Sequence, residues 1–335
     1  MYPISDYLST KLKVCSMLAT IFVIYRHSFV ERAFLLDGCN VGFLLTNTTR
    51  FVSTVTEVAV PLFFIISGMF FFRRNYYENN EYSRMLLKKL RTLFFPFIFW
   101  NLMGLIILLV SGKYERAGGG LAFLENFFLS YYYGPLWYVR DLMLLMLFSP
   151  MYLWIFNKKY RWAWGIVIPL LMYFWIPVDN RLMSIEGVLF FLFGGILNYR
   201  LDVLSLKFPK KYPILLFGLW MIIAFSFDLW EQETIHKISI CLGILTIWFS
   251  IDAIPTKMYH FFFKISKYAF FIYVTHFYFV KTFKILIAHC FVRNELVAWL
   301  TFIFLPIICT WILIQIAHVF SKKYNRIYFL LTGNR

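Results

Sequence analysis

Ten windows of this chain are each close to the length of mainly apolar residues, about 20, that carries a helix across a bilayer. They fall at roughly 12–30, 53–72, 92–111, 135–156, 162–178, 185–199, 212–229, 238–254, 268–288 and 297–320. The fifth and sixth are short. Composition agrees with a membrane chain. Hydrophobic residues make up 61% and charged residues 15%, against about 25% charged in soluble proteins. The 41 Phe, 22 Tyr and 11 Trp exceed what the interior of a soluble protein this size can hide. A disordered chain is excluded, because such chains are poor in apolar residues. Lipid admits only helices and closed barrels, and the long runs lack barrel alternation. The expected fold is therefore all-α, a polytopic bundle of about ten transmembrane helices.

Basic residues orient the bundle. With a cytoplasmic N-terminus, 22 Lys and Arg residues fall on the inner side and seven on the outer: Arg32, Arg50, Lys113, Arg116, Arg181, Lys237 and Arg293. Both termini are thus expected in the cytoplasm. The same bias accounts for the net charge of +16. Cations spread over six short inner loops suit anionic lipid headgroups, whereas a nucleic-acid surface would not be divided this way. Some of them could also attract an anionic cytosolic substrate.

The chain reads as one membrane domain over 1–335, with a core of about 11–320, a cytoplasmic tail at 321–335 and no appended soluble domain. Lys11 and Lys13 precede an apolar run as in a signal peptide, but no small-residue cleavage site follows, so the run reads as a retained first helix. The five cysteines form no metal or redox motif. Cys39 and Cys290 fall on the outer side, where a disulfide is chemically permitted. No metal-ligand spacing, phosphate loop or Gly-x-Ser-x-Gly elbow is present.

Ionisable residues inside spans are costly, and each is a functional candidate. His27 sits near the outer end of the first window beside Arg26. Lys13 lies fourteen residues earlier, about 21 Å along a helix. Glu31, four residues after His27, would share its helical face and could orient the imidazole. His27 reads equally as a base and as an inert interfacial residue. Glu57 lies in an apolar run with Pro61, where its carboxylate must find a partner, and Ser67-Gly68 in the same run reads as a close-packing pair. Arg140, about 8 Å along its helix, either snorkels outward or faces a cavity to hold a carbonyl, carboxylate or phosphate. Trp137 and Tyr138 read as an interfacial belt. His276, within Phe271-Ile272-Tyr273-Val274-Thr275-His276-Phe277, reads first as a buried structural hydrogen bonder. Glu186, Asp228, Asp252, Lys281 and Lys284 complete the candidates, and His236, His260, His289 and His318 carry no signal.

Taken in order, five phrases resemble the acyltransferase 3 family. They are Val23-Ile24-Tyr25-Arg26-His27-Ser28, Val60 through Phe71, Lys88-Lys89-Leu90-Arg91 leading to Trp100, Pro135-Leu136-Trp137-Tyr138-Val139-Arg140-Asp141-Leu142 followed by Ser149-Pro150, and Phe271 through Phe277. The family usually carries an arginine eleven residues before the first-helix histidine. Ser16 stands there in this chain, and Lys13 and Arg26 are the possible substitutes.

The resemblance implies a bacterial inner-membrane enzyme. It would move a short acyl group, most often acetyl, from acyl-coenzyme A to a hydroxyl of a surface polysaccharide or lipid-linked glycan. On that reading His27 is the general base and Glu31 or Glu57 holds its tautomer. Arg140 meets the acyl carbonyl, and Arg26, Trp137 and His276 contact substrate. Lys13, Lys88, Lys89 and Arg91 meet the phosphates of coenzyme A. The partners are then the glycan acceptor, acyl-coenzyme A and anionic lipids, with a homodimer open and nucleic acid excluded. A transporter or flippase of a glycan, lipid or acyl carrier is the alternative, and a catalytically inactive receptor or scaffold a third reading.

Overall fold

The computed structural model describes residues 4–34, 42–73, 80–114, 119–156, 163–176, 183–198, 201–207, 209–227, 231–291 and 294–333. Among these residues the regular structure is entirely helical. The helices are α1 (Asp6–Arg26), α2 (Glu31–Phe34), α3 (Phe43–Thr56), α4 (Ala59–Phe71), α5 (Glu81–Lys89) and α6 (Phe95–Val110). They continue with α7 (Gly120–Phe128), α8 (Trp137–Leu147), α9 (Ser149–Phe156), α10 (Ile168–Trp175), α11 (Ile185–Leu197) and α12 (Leu201–Leu204). The last six are α13 (Lys211–Ser226), α14 (Glu233–Ser250), α15 (Thr256–Ile265), α16 (Ala269–Cys290), α17 (Glu295–Lys323) and α18 (Asn325–Thr332).

Among the described residues, six stretches are long and apolar enough to cross a membrane: Asp6–Phe34, Phe43–Phe71, Glu81–Val110, Glu233–Ala253, Thr256–Cys290 and Glu295–Lys323. Gly165–Trp175, Ile185–Leu197 and Lys211–Ser226 are shorter apolar helices. At 1.5 Å per residue, a 13-residue helix such as α11 reaches only about 20 Å. The expected window at 135–156 is divided between α8 and α9, with Pro150 in the first turn of the second, where a missing N–H costs nothing. Cys39, Asp228, Arg74, Arg116, Lys158, Lys159, Arg161, Arg181, Arg200, Arg293 and Arg335 lie outside the described residues.

The chain divides into two compact units. The first comprises Met1–Tyr2, Phe64–Leu201 and Phe320–Arg335. Its tightest packing uses small residues. A Cβ at Gly68 would overlap the Phe191 carbonyl, and one at Gly194 would overlap the Ile65 carbonyl. α4 and α11 therefore approach backbone to backbone, as small residues permit between membrane helices. The Ser67 hydroxyl meets the Tyr138 hydroxyl at 2.9 Å. α11 begins with Ser184, whose Oγ accepts the Gly187 N–H at 3.0 Å, an N-cap that satisfies an otherwise orphaned donor.

The second unit comprises Pro3–Phe63 and Asp202–Val319. α1 starts at Ser5, whose Oγ caps the Leu8 N–H at 3.2 Å. It packs against α3, α15 and α16. Val30, Phe34, Leu45, Ala288, Ala298 and Phe302 form a buried apolar core in this unit. At the start of α3 the Glu295 carboxylate accepts the Leu45 N–H at 3.0 Å, placing negative charge where the helix dipole favours it. Lys11 is fully buried on α1 and bonds Asp252 at 2.7 Å. Tyr7 donates to the other oxygen of Asp252 at 2.5 Å.

Candidate functional site

The first two membrane spans are both interrupted, and the interruptions gather the ionisable residues of the second unit. α1 ends at Arg26, and a new helix begins only at Glu31. Ser28 helps end it: its backbone N–H bonds the Tyr25 carbonyl and its hydroxyl donates to the Ile24 carbonyl at 2.7 Å. The Lys284 ammonium on α16 donates to the Phe29 carbonyl at 2.6 Å and reaches the His27 carbonyl at 3.4 Å. A lysine thus meets carbonyls that a helix end leaves without partners. The second span breaks at Glu57-Val58, between α3 and α4.

His27 lies at the first break, half-buried. Its ring stands 5.2 Å from the His276 ring and 5.2 Å, edge to face, from Phe277. The imidazole makes no hydrogen bond among the described residues. His276 is fully buried, and its Nδ1 faces the Tyr273 carbonyl at 2.6 Å. A carbonyl only accepts, so Nδ1 carries the proton there. In the neutral ring, Nε2 is then a bare lone pair, and it has no hydrogen-bond partner among the described residues. His276 is thus a structural hydrogen bonder and also a neighbour of His27.

Glu31 and Glu57 do not sit as a continuous helix would place them. Glu31 heads α2, so the four-residue spacing from His27 does not put the two on one helical face. Glu57 closes α3, and its carboxylate is shared by two cations or donors: Arg26 at 3.3 Å and the His236 Nε2 at 2.5 Å. Among the described residues its partners are these two, and His27 is not one of them. Arg26 also bonds the Ser53 hydroxyl.

A cavity of about 600 Å³ opens beside these residues, lined by Arg26, Phe29, Glu31 and Glu57 and by the polar side of α3. Irregular backbone at membrane depth is tolerated where it borders such a space. Arg50, also in the lining, donates to the Ala224 and Phe227 carbonyls at 3.0 and 2.9 Å, at the end of α13.

The other expected site residues stand elsewhere. Arg140 belongs to the first unit. It is buried and donates through Nε and Nη2 to Asp141 at 2.9 and 2.7 Å. The other Asp141 oxygen accepts the Ser184 N–H at 2.9 Å. This fork ties α8 to the start of α11. Trp137 opens α8, half-buried, 6.4 Å from the Phe64 ring. Lys88 and Arg91 are exposed and Lys89 half-buried, at the start of the third span. Lys13 is exposed with its ammonium 5.2 Å over the Phe263 ring, and Ser16 accepts the Thr20 hydroxyl at its carbonyl. Cys290 is exposed. Among the described residues no group of three His, Cys, Asp or Glu could hold a metal ion.

Sequence reasoning missed His236 and the positions of Lys284 and Lys11. Their only advance sign was an ionisable group at or near a span, because each partner lies far away along the chain.

Helical spans, breaks lined by ionisable residues and a polar cavity define a multi-pass membrane protein with an intramembrane polar site. The chain belongs to the acyltransferase 3 family, whose model, described as an acyltransferase domain, matches residues 14–315. It is also similar to the succinoglycan biosynthesis protein ExoH of Rhizobium meliloti (strain 1021), at 26% identity over 218 residues, covering 57% of this chain and 56% of that protein. The chain thus spans about half the length of this curated relative. No solved structure matches the chain significantly.

Proposed function

We propose that the protein is a membrane-bound O-acyltransferase that moves a short acyl group, such as acetyl, from acyl-coenzyme A to a hydroxyl of a polysaccharide or lipid-linked saccharide. The family supports acyl transfer, and the relative's name, succinoglycan biosynthesis protein, supports a saccharide acceptor. The observation that carries the assignment of the base is the His27 imidazole. It is half-buried, without a hydrogen bond among the described residues, and placed at a break in the first span, next in sequence to Arg26, which lines a polar cavity.

In this reading His27 takes the proton of the acceptor hydroxyl as its oxygen attacks the thioester carbonyl. The C–S bond breaks, the new ester forms, and the proton passes to the departing thiolate. His276 packs beside His27 and limits its ring positions. Arg26 and Glu57 fix the wall next to it. Lys88 and Arg91 are exposed and Lys89 half-buried, cations suited to the phosphates of coenzyme A or to anionic headgroups. The reading includes ten spans, both termini in the cytoplasm, and the inner membrane of a bacterium.

The test is free-thiol release from acetyl-coenzyme A by the purified protein in nanodiscs, with a cell-envelope glycan fraction as acceptor. Release should require the acceptor and fall at least about 100-fold in His27→Ala. Release that survives the substitution removes His27 from the role of base. Absence of release with every acyl donor, from well-folded protein, would overturn the enzyme reading and favour transport.

A further inference from the structure

His276 holds an acceptor that the described residues leave unanswered. Its ring lies on α16 and is fully buried. Nδ1 donates to the Tyr273 carbonyl at 2.6 Å, on the same helix, so the proton of the neutral ring sits there. Nε2 is then a lone pair sealed from water, with no hydrogen-bond partner among the described residues. A buried acceptor of this kind is costly and rare, and it calls for a donor. The neighbouring hydroxyls are spent elsewhere. Thr275 donates to the Phe271 carbonyl, and Tyr25 and Ser28, on either side of His27, donate to those of Ile303 and Ile24. The Lys284 ammonium is turned to the Phe29 and His27 carbonyls.

His27 has the complementary need. A base of its kind is ordinarily oriented by a third group, which fixes the nitrogen that carries the proton. No carboxylate bonds the His27 imidazole among the described residues: Glu57 is held by Arg26 and His236, and Glu31 heads a separate helix. The ring packed against His27 is instead that of His276, with centres 5.2 Å apart and planes tilted by 45°. With a nitrogen of each ring turned to the other, that spacing leaves about 3 Å between them, an ordinary hydrogen-bond length. The torsion that turns an imidazole in place is soft, and turning leaves the ring centre nearly where it is.

We infer that His276 is a positioning residue for His27: its Nε2 accepts the N–H of one His27 nitrogen and leaves the other as the lone pair that takes a proton. The inference rests on the acyl-transfer reading only for what that lone pair does. Once His27 has taken the proton of the acceptor hydroxyl, it is a cation donating to a neutral His276, and the proton it took passes to the departing thiolate. The shared proton stays on His27, because a second proton on His276 would charge a fully buried ring. A neutral imidazole thus does the orienting that a buried carboxylate does in a Ser-His-Asp triad.

The full chain, labelled with nitrogen-15 histidine and reconstituted in liposomes, is studied by magic-angle-spinning NMR, with His27→Ala used for assignment. Wild type should show His27 as one tautomer, its N–H correlated through the bond with the His276 Nε2. In His276→Phe, which keeps a ring and removes the acceptor, both His27 tautomers should appear. In thiol release that variant should lose kcat about 10- to 100-fold, with the KM for acetyl-coenzyme A unchanged within about twofold. His276→Gln, which returns an acceptor near the Nε2 position, should restore one tautomer and recover most of the lost kcat. Uncorrelated rings in wild type overturn the inference, and that spectrum decides the matter even where both variants misfold. A single unchanged His27 tautomer in His276→Phe, or a His276→Gln no better than His276→Phe, overturns it too. Thiol release that needs His27 while the rings are uncorrelated sinks this inference alone. A correlated pair without thiol release sinks the acyl-transfer reading alone.

Discussion

Lys11 offers a quantitative test of how the first helix is anchored. Its side chain is 0% exposed and Asp252 is 11% exposed, with the ammonium 2.7 Å from the carboxylate. Breaking a buried ion pair costs about 3–5 kcal/mol when one charge is left stranded. The two halves of this pair are not equivalent. In Asp252→Ala the ammonium stays fully buried, 4.4 Å from the centre of the Trp248 ring. That cation–π contact is present before and after the substitution and offsets nothing, so the loss should be about 3–5 kcal/mol. In Lys11→Met the apolar stem is replaced in kind. Asp252 keeps the Tyr7 hydroxyl at 2.5 Å and some access to solvent. That variant should lose only about 1.5–3 kcal/mol, the worth of one hydrogen bond to a charged group. The double variant, Lys11→Met with Asp252→Leu, removes both charges and should lie within about 1 kcal/mol of wild type.

The assay is unfolding by dodecyl sulfate in mixed micelles, followed by tryptophan fluorescence with reversibility checked. The expected order, from most to least damaged, is Asp252→Ala, Lys11→Met, then the double variant. A gap of about 1.4 kcal/mol between the single variants is tenfold in the folded-to-unfolded ratio. Equal damage from the two single variants would refute the claim that Lys11 is the costlier charge to strand. A double variant that loses the sum of both would refute the pairing.

Further outcomes follow from the other contacts. Gly68→Val and Gly194→Val put carbon where the Phe191 and Ile65 carbonyls lie, so both should abolish folded protein in size-exclusion profiles of detergent extracts. Glu57→Gln keeps acceptor and donor groups opposite Arg26 and His236 and should cost about 1–2 kcal/mol in the same unfolding assay. Glu57→Leu, which strands both partners, should cost at least about 1 kcal/mol more. Lys284→Met removes the donor to the His27 and Phe29 carbonyls and should lower the acyl-transfer kcat with little change in the KM for acyl-coenzyme A.

Much of the helical layout was legible because lipid forces one solution on long apolar runs. Each expected window contains a helix, though the window at 135–156 holds two, divided at Ser149-Pro150, and three are short. The interruptions at His27 and Glu57 were not legible from hydropathy. A window average passes over Arg26, His27 and Ser28 at the first break and Glu57 at the second, and what stabilises the first is Lys284, more than 250 positions away. A separation of 179 positions hid His236 as the partner of Glu57. Lys11 was counted with the inner basic residues because a charge bias treats every lysine alike. Only the packing of α1 shows that its ammonium is fully buried and bonded to Asp252.

Three helix ends explain why the cations of the second unit should not all be read as ligand binders. α1 stops at Arg26, and Lys284 meets the carbonyls that follow. α13 stops at Ser226, and Arg50 takes the carbonyls of Ala224 and Phe227. α3 stops at Thr56, where the Glu57 carboxylate would add negative charge to the negative end of the dipole. Arg26 and His236 offset it. In a low-dielectric interior each of these pairings answers a cost that the chain itself creates. The His27 imidazole and the Glu31 carboxylate are without a hydrogen bond among the described residues, and Glu31 interacts electrostatically with Lys284. Both groups can accept a hydrogen bond from a hydroxyl, and the imidazole can also take its proton.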